Sequence, residues 1–430
     1  MTEFFDAQEQ RDPAQREAAL MAALPRHIAQ AQRATRAFAD SLAGVDAGAI
    51  SSRAALARLP VVRKHELLLR QQALRADRAQ HEPFGGFSAI GWHGLRAATG
   101  ARRVFQSPGP IYEPEGTAAD YWRMARAIHA AGFRAGELAH CSFSYHLTPA
   151  GAMMESGAHA VGCTTFAGGV GNTELQLQAV ADLRPQGYIG TPSFLKILVE
   201  KAAETGVAIT SLTKALLGGE AFPPSLRDWL AERGINAYQS YATADAGLIA
   251  YETPAREGLV LDEAVILEIV RPGTGDVLPE PKPGQAGEVG EVVVTVLNPD
   301  YPLVRFGTGD LSALLPGPCP TGRSNWRIQG WLGRADQTTK VRGMFVHPGQ
   351  VAEVLRRHPE IRRARLVVEG EMANDRMTLK VEVAHAPDGL ASAVAASVRD
   401  VTKLRAEVVL AAPGSLPNDG KVIEDARSYA

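Results

Sequence analysis

Three short segments in the second half of the chain carry residue types suited to polar chemistry: YPLVRFGTGDL at 301–311, GRADQTTKVRG at 333–343 and GSLPNDGKV at 414–422. An aspartate at a strand end, such as Asp310, can accept two hydroxyls through its two oxygens, each as a charge-assisted hydrogen bond. Arg334 offers a planar fork of donors for hydroxyl or phosphate oxygens. Lys421, in a polar loop after Gly420, can bring an ammonium to developing negative charge. Each piece also has an ordinary explanation. TGD is a frequent strand exit, an arginine near a domain boundary can sit in a surface ion pair, and a loop lysine is commonly just solvated. The order and spacing of the three, rather than any one residue, carry the signal.

The rest of the chain must supply elements that bring these residues to bear. At 430 residues, with 45% apolar and 21% charged residues, the chain has the balance of a globular protein of two or three domains. Helical spacing of apolar residues over 14–45, resumed from Leu56 to Leu74 after a break at Pro60, predicts an N-terminal helical cap. From Tyr121 onward helix-like and short apolar segments alternate, which predicts α/β layers. YIGTPSFLKILVEKAAETG and ALLGGEAFPPSLRDWLAERG each read as strand, loop and helix. After Glu252 the text turns β-rich, predicting an antiparallel sheet or small barrel packed on the α/β body. The C-terminal stretch reads as hairpin, helix, two strands, helix and a final strand, a small α+β lobe. The expected division is 1–335 and 336–430.

Composition excludes several classes of function. The formal net charge of −2 gives no footing for a nucleic-acid partner, and no apolar run of 18 or more residues predicts a membrane span. The polar N-terminus, MTEFFDAQEQRDPAQRE, does not read as a signal peptide. Three scattered cysteines, Cys141, Cys163 and Cys319, form neither a disulfide framework nor a zinc pattern, and suit a cytoplasmic protein with buried thiols. TPSFL lacks the G-x-S-x-G elbow of a serine hydrolase.

The three segments resemble those of the adenylate-forming superfamily, and the phenylacetate-CoA ligase branch in particular, where related text reads PviRYrTrDL, GRsDdmikvRG and LPrseGKa. The N-terminal LAGVDAGAISSRAALARLPVVRKHEL is also similar to that branch, so the resemblance covers most of the chain. It implies an AMP-forming acid:CoA ligase with a large N-terminal domain and a small mobile α+β C-terminal domain, using ATP, Mg2+ and CoA. A carboxylate would attack the α-phosphate, release pyrophosphate and leave an acyl-adenylate. The C-terminal lobe would then swing about Asp336, and the CoA thiol would displace AMP.

Carried over residue by residue, the resemblance assigns Asp310 and Arg334 to the ribose or phosphates and Lys421 to adenylation. LLGGEAF at 216–222 and YQSYATADAG at 238–247 resemble the adenine-binding segments, which implicates Gly218, Gly219, Glu220, Ala221, Gln239, Ser240, Tyr241, Ala242 and Thr243. Asp245 stands where most relatives have a magnesium-binding glutamate. It is one methylene shorter, and a helix N-cap remains an alternative role for it. SFSYHLTPAG at 142–151 points to an acyl pocket with Tyr145 and His146, Gly151 opening space at a helix start. His146 could equally be a satisfied core histidine. Arg342 and Gly343 are the candidates for contact with CoA. The acid is expected to be aromatic or arylacetic, and a homodimer is the commonest assembly for a soluble enzyme.

One segment departs from the pattern. Relatives hold the ATP phosphates with a Ser/Thr/Gly-rich loop, whereas this chain has FQSPGPIYEPEG at 105–116. Ser107 and Gly109 remain as phosphate contacts, but Pro108 and Pro110 remove two amide donors and Glu113 and Glu115 add negative charge. Three outcomes stay open: the phosphates are held differently, magnesium and Lys421 carry more of the work, or the chain is a non-catalytic nucleotide or acyl-CoA binder. A carrier protein or an amine in place of CoA is a further alternative.

Overall fold

The computed structural model of the chain describes residues 3–77, 82–95, 99–335, 339–342, 344–346, 348–370, 374–417 and 421–427. By their internal contacts the residues form two compact units, Met1–Phe222 with Leu226–Gly333, and Pro223–Ser225 with Arg334–Ala430.

In the larger unit, Asp12 caps α1 (Pro13–Ala34) by accepting from the Gln15 amide at 3.0 Å, and Pro13 takes the first helical position, where no N–H is needed. Thr35 closes α1 and caps α2 (Arg36–Ser41), so the helical cap expected over 14–45 is built from two helices. α3 (Arg53–Leu56) leads through β1 (Val62–Arg63) into α4 (Lys64–Ala76), and β2 (Arg103–Ser107) pairs with β3 (Ile111–Glu115) as a hairpin. The α/β layers follow: α5 (Ala125–Ala130), β4 (Leu138–Cys141), α6 (Ala150–Val161), β5 (Thr164–Ala167), α7 (Thr173–Leu183), β6 (Gly187–Gly190), α8 (Pro192–Thr205), β7 (Lys214–Leu217), α9 (Pro224–Ala231) and β8 (Asn236–Thr243). The first strand–loop–helix reading is realised as β6 and α8, with Thr191 as N-cap, Pro192 at the helix start and Gly206 at φ +71° ending it.

β9 (Gly247–Glu252) and β10 (Leu259–Leu261) continue the same sheet, then β11 (Val265–Val270), β12 (Gly290–Val296) and β13 (Leu303–Ser312) form most of another, and β14 (Leu314–Leu315) and β15 (Arg327–Ile328) return to the first. The large sheet has nine strands in the order β14-β15-β10-β9-β8-β7-β6-β4-β5, parallel from β5 to β8 and antiparallel beyond β8. The smaller sheet is an open one, β1-β13-β12-β11, with β1 parallel to β13. Its apolar face shares one core with the N-terminal helices through Leu24, Ile28, Phe38, Leu56, Val294 and Phe306.

Arg305 ties these layers together. It is buried in β13 at φ +46°, and its guanidinium donates to Glu268 Oε2 at 2.9 Å, to the Ala57 carbonyl at 2.8 Å and to the Gly275 carbonyl at 2.8 Å. A buried charge with this many partners is tolerated because its lost hydration is replaced bond for bond. The strand that carries Asp310 is thereby fixed to the segments that flank it.

His27 of α1 makes one energetic consequence measurable. Burial pushes its pKa from 6.5 down to about 4, so it is neutral in the fold. Between these two values the unfolded chain binds more protons than the folded one. Stability present above pH 6.5 is therefore lost as the pH falls to about 4, by up to about 3 kcal/mol. His27→Leu should flatten that part of the stability profile in urea unfolding at about pH 7 and about pH 4.5. An unchanged difference between the two pH values would rule the histidine out as its source.

The smaller unit contains the hairpin β16 (Thr339–Val341) and β17 (Met344–Val346), then α10 (Pro348–Arg357), β18 (Ile361–Glu369), β19 (Arg376–Val383), α11 (Leu390–Thr402), β20 (Glu407–Ala411) and β21 (Ile423–Asp425). The sheet order is β20-β19-β18-β21, so two strands follow α11 where one was expected. Val354, Leu366, Val381, Val394 and Val398 form its core. Among the described residues no helix is long and apolar enough to cross a membrane.

Candidate active site

The end of β13 places Asp310 in a frame of donors. The Tyr241 hydroxyl donates to Asp310 Oδ2 at 2.9 Å and lies 3.0 Å from Thr308 Oγ1. Trp331 Nε1 donates to Asp310 Oδ1 at 3.1 Å, and the Asp310 amide donates to Thr308 Oγ1 at 3.1 Å. Asp310 is 7% exposed, and each of its carboxylate oxygens accepts from a side-chain donor. That arrangement suits a vicinal diol. Trp331 was not singled out from the sequence, since nothing in GWLGR marks an indole 21 residues away as a partner of Asp310. Trp331→Phe keeps the packing and removes the N–H. AMP affinity should fall about tenfold, the cost of a hydrogen bond to a charged group, as read by titration calorimetry.

Tyr241 reaches Asp310 because of the local backbone. β8 and β9 slip register between Tyr241 and Ala242, a bulge that re-aims the side chain. Thr243 Oγ1 accepts from the Ala246 amide at 3.0 Å and closes the turn beyond. The Gln239 amide donates to Glu252 Oε2 at 3.0 Å, which keeps that end of β8 paired. Next to β8, a Cβ on Gly218 would lie 3.1 Å from Ser240 Oγ, and Gly219 has φ +76°, so the turn after β7 runs close along β8 only because both positions are glycine. Glu220 Oε2 accepts from the Ser193 amide at 3.3 Å, and Ala221 is half-buried beside it in the chain. The structure thus brings 218–221, 239–243 and Asp310 together along neighbouring strands.

The departing segment folds as the β2–β3 hairpin, and period-two alternation points Glu113 and Glu115 to the same, buried face. Arg103 neutralises Glu115, with Nη2 2.7 Å from Oε1. Glu113 has no such cation to itself: Ser107 Oγ donates to its Oε1, and burial, reinforced by the charge of Asp245, holds its pKa well above the usual carboxylate range. Asp245 lies in the turn between β8 and β9, where no helix begins, so it is not an N-cap. Lys64 Nζ donates to its Oδ2 at 2.8 Å, while its buried Oδ1 makes no hydrogen bond. Lys64 was missed in the sequence because its partner is 181 residues away.

An oxygen left in this way fits a hard divalent cation. Among the described residues no group of three His, Cys, Asp or Glu could hold a metal. The remaining ligands would then come from water and substrate phosphates, the usual habit of Mg2+.

In the acyl region, a Cβ on Gly151 would sit 2.8 Å from both the Ser144 carbonyl and the Tyr145 ring. The space expected to be open at this helix start is therefore filled by Tyr145, whose ring is fixed against α6. The Tyr145 hydroxyl is enclosed, and burial raises its pKa. His146 is exposed, so it is not a core histidine. In the smaller unit, Arg342, in the β16–β17 turn, donates from its amide to Asp375 Oδ2 at 3.1 Å and from Nη2 to the Asp375 carbonyl at 3.0 Å, which commits part of its fork to the segment just before β19. Arg334 begins this unit after Gly333, and Lys421 is exposed just before β21. Asp336 and Gly343, the expected hinge and CoA contact, lie outside the described residues.

Residues 122–296 match the AMP-binding enzyme family and residues 343–425 match the AMP-binding enzyme C-terminal domain. The chain is 30% identical to a phenylacetate-coenzyme A ligase of Thermus thermophilus over 413 residues, covering 87% of each chain. It is 32% identical to the phenylacetate-coenzyme A ligase of Aromatoleum evansii over 61% of this chain and 60% of that one. In fold it is similar to a 2-hydroxyisobutyryl-CoA ligase solved with 2-HIB-AMP and CoA, with a TM-score of 0.83 at 23% identity over 100% of this chain and 93% of that one. The fold is that of an adenylate-forming enzyme. Within that class the chain belongs to the phenylacetate-coenzyme A ligase family.

Proposed function

We propose that this AMP-forming acid:CoA ligase activates an aromatic or arylacetic acid in the cytoplasm. The observation that carries the nucleotide half of the reading is Asp310, a buried carboxylate at the end of β13 oriented by the Tyr241 hydroxyl on one oxygen and Trp331 Nε1 on the other, beside the 218–221 turn. The ribose hydroxyls donate to that carboxylate, the adenine lies along 218–221 and Tyr241, and Lys421 neutralises charge as the acid attacks the α-phosphate. Asp245 would hold Mg2+, which would supply further charge neutralisation on the phosphates. CoA then takes the acyl group, with Arg342 a contact for its phosphates. The acid class is supported by the names of the relatives. Three buried cysteines outside any disulfide are in keeping with a reducing compartment.

A screen of arylacetic, benzoic and short aliphatic acids with Mg-ATP and CoA tests the reading, following pyrophosphate and the thioester mass. Arylacetic or benzoic acids should give the highest kcat/KM. Preference for short aliphatic acids would overturn the acid class, and pyrophosphate release without thioester would overturn CoA as the acceptor.

A further inference from the structure

The hairpin that replaces the family's phosphate loop leaves a charge unbalanced. Glu113 is 1% exposed and the Asp245 side chain is fully enclosed, each within electrostatic range of the other, and Lys64 faces both. Two carboxylates therefore share one ammonium. Ser107 holds one oxygen of Glu113 and Lys64 holds one oxygen of Asp245, while Glu113 Oε2 and Asp245 Oδ1 are buried without a hydrogen bond. A third group lies within electrostatic range of both. Tyr301 is 2% exposed, its hydroxyl is buried and unpartnered, and it is close enough to feel the charges of Asp245 and Glu113. Three unpartnered oxygens from three separate segments, with a net negative charge among them, describe a site short of a proton or a cation.

Location decides between the two. Asp245 follows β8 by two residues, and Tyr241, on the same strand, holds the diol-accepting Asp310. A nucleotide seated at Asp310 thus has its ribose beside β8, and its phosphates must pass nearby because they are covalently attached. The amides that relatives use to hold those phosphates are lost to Pro108 and Pro110. Glu115 takes no part, since Arg103 already covers it.

We propose that Glu113 and Asp245 together hold a divalent cation, with Tyr301 lining the site, so that the hairpin grips the triphosphate through a metal in place of backbone amides. One or two carboxylates plus substrate phosphates is the usual donor set of Mg2+. The proposal rests on the ligase reading above, but the new element is Glu113, which turns the chain's departure from its family into a working part.

Mn2+ titrated into the full chain with an ATP analogue carrying a methylene between the α- and β-phosphates, followed by electron paramagnetic resonance, is the test. Glu113→Gln should weaken Mn2+ binding in that complex at least about tenfold, the cost of losing one charged ligand of this kind. Glu113→Asp, which keeps a carboxylate, should recover part of the loss. AMP, which lacks the β- and γ-phosphates, should bind the Gln variant as it binds the wild type in calorimetry, which also shows that the site has folded. If the Gln variant holds Mn2+ as tightly as the wild type, the proposal is wrong and a shared proton balances the site, since glutamine mimics a protonated carboxyl. Equal loss in the Asp and Gln variants would likewise exclude Glu113 as a ligand. Failure of the wild type to bind AMP would instead sink the ligase reading itself.

Discussion

Asp310→Ala should lose AMP and ATP affinity by about a hundredfold or more while the protein stays folded. Two ribose hydroxyls donating to one carboxylate make two hydrogen bonds to a charged group, each worth about 1.5–3 kcal/mol, and the lower end of their sum is already about 3 kcal/mol. The variant also removes an acceptor from the Tyr241 hydroxyl and from Trp331 Nε1. Asp310→Asn separates the two effects. Its amide nitrogen cannot face the Trp331 N–H, so it must turn towards Tyr241, whose hydroxyl can accept as well as donate. Asn should therefore preserve the frame and lose one ribose bond, giving a loss of about tenfold. Calorimetric titration of AMP reads both variants. Equal affinity in wild type and Asp310→Ala would remove the ribose from this carboxylate.

The Asp310 frame also shows what could be read from the sequence and what could not. The strand exit, the glycines at 218 and 219 and the alternation of strand and helix are local facts, written in residues that lie within one or two turns of each other. They were legible. Trp331 and Lys64 were not, because each acts through a contact made only when distant segments meet, 21 and 181 residues apart. The hairpin at 103–115 is an intermediate case. Period two puts Glu113 and Glu115 on one face, but the sequence does not say whether that face meets water or the interior. The structure turns it inward and gives the two carboxylates different fates, Arg103 beside Glu115 and the Asp245 cluster beside Glu113. An apparent excess of negative charge is thus one neutralised glutamate and one that needs a counter-charge. In the smaller unit, β20 and β21 are not separable in the sequence because three residues, Ile423–Asp425, are too few to show a period.

Lys421→Ala should reduce acid-dependent pyrophosphate release by about a thousandfold and leave thioester formation from supplied acyl-adenylate within a few-fold of wild type. The first half follows from the chemistry of adenylation. The attacking carboxylate and the α-phosphate are both negative, and their approach concentrates charge that a positioned ammonium relieves, a contribution of about 10²–10³ for one donor at such a centre. The second half follows from what has left by then. Once pyrophosphate is gone, the thiol attacks a neutral mixed-anhydride carbonyl, and no new pair of like charges has to be brought together. The variant should fold normally, because Lys421 is exposed and a surface substitution of this kind changes stability by no more than about 0.5 kcal/mol. Comparing the two half-reactions is what makes the result specific. A lysine that merely attracted anionic ligands would slow both steps together and would be rescued equally by raising either substrate, whereas a lysine acting on the adenylation transition state lowers kcat for one step alone. Parallel loss in both half-reactions would therefore move Lys421 out of the catalytic role, even if overall ligase activity vanished.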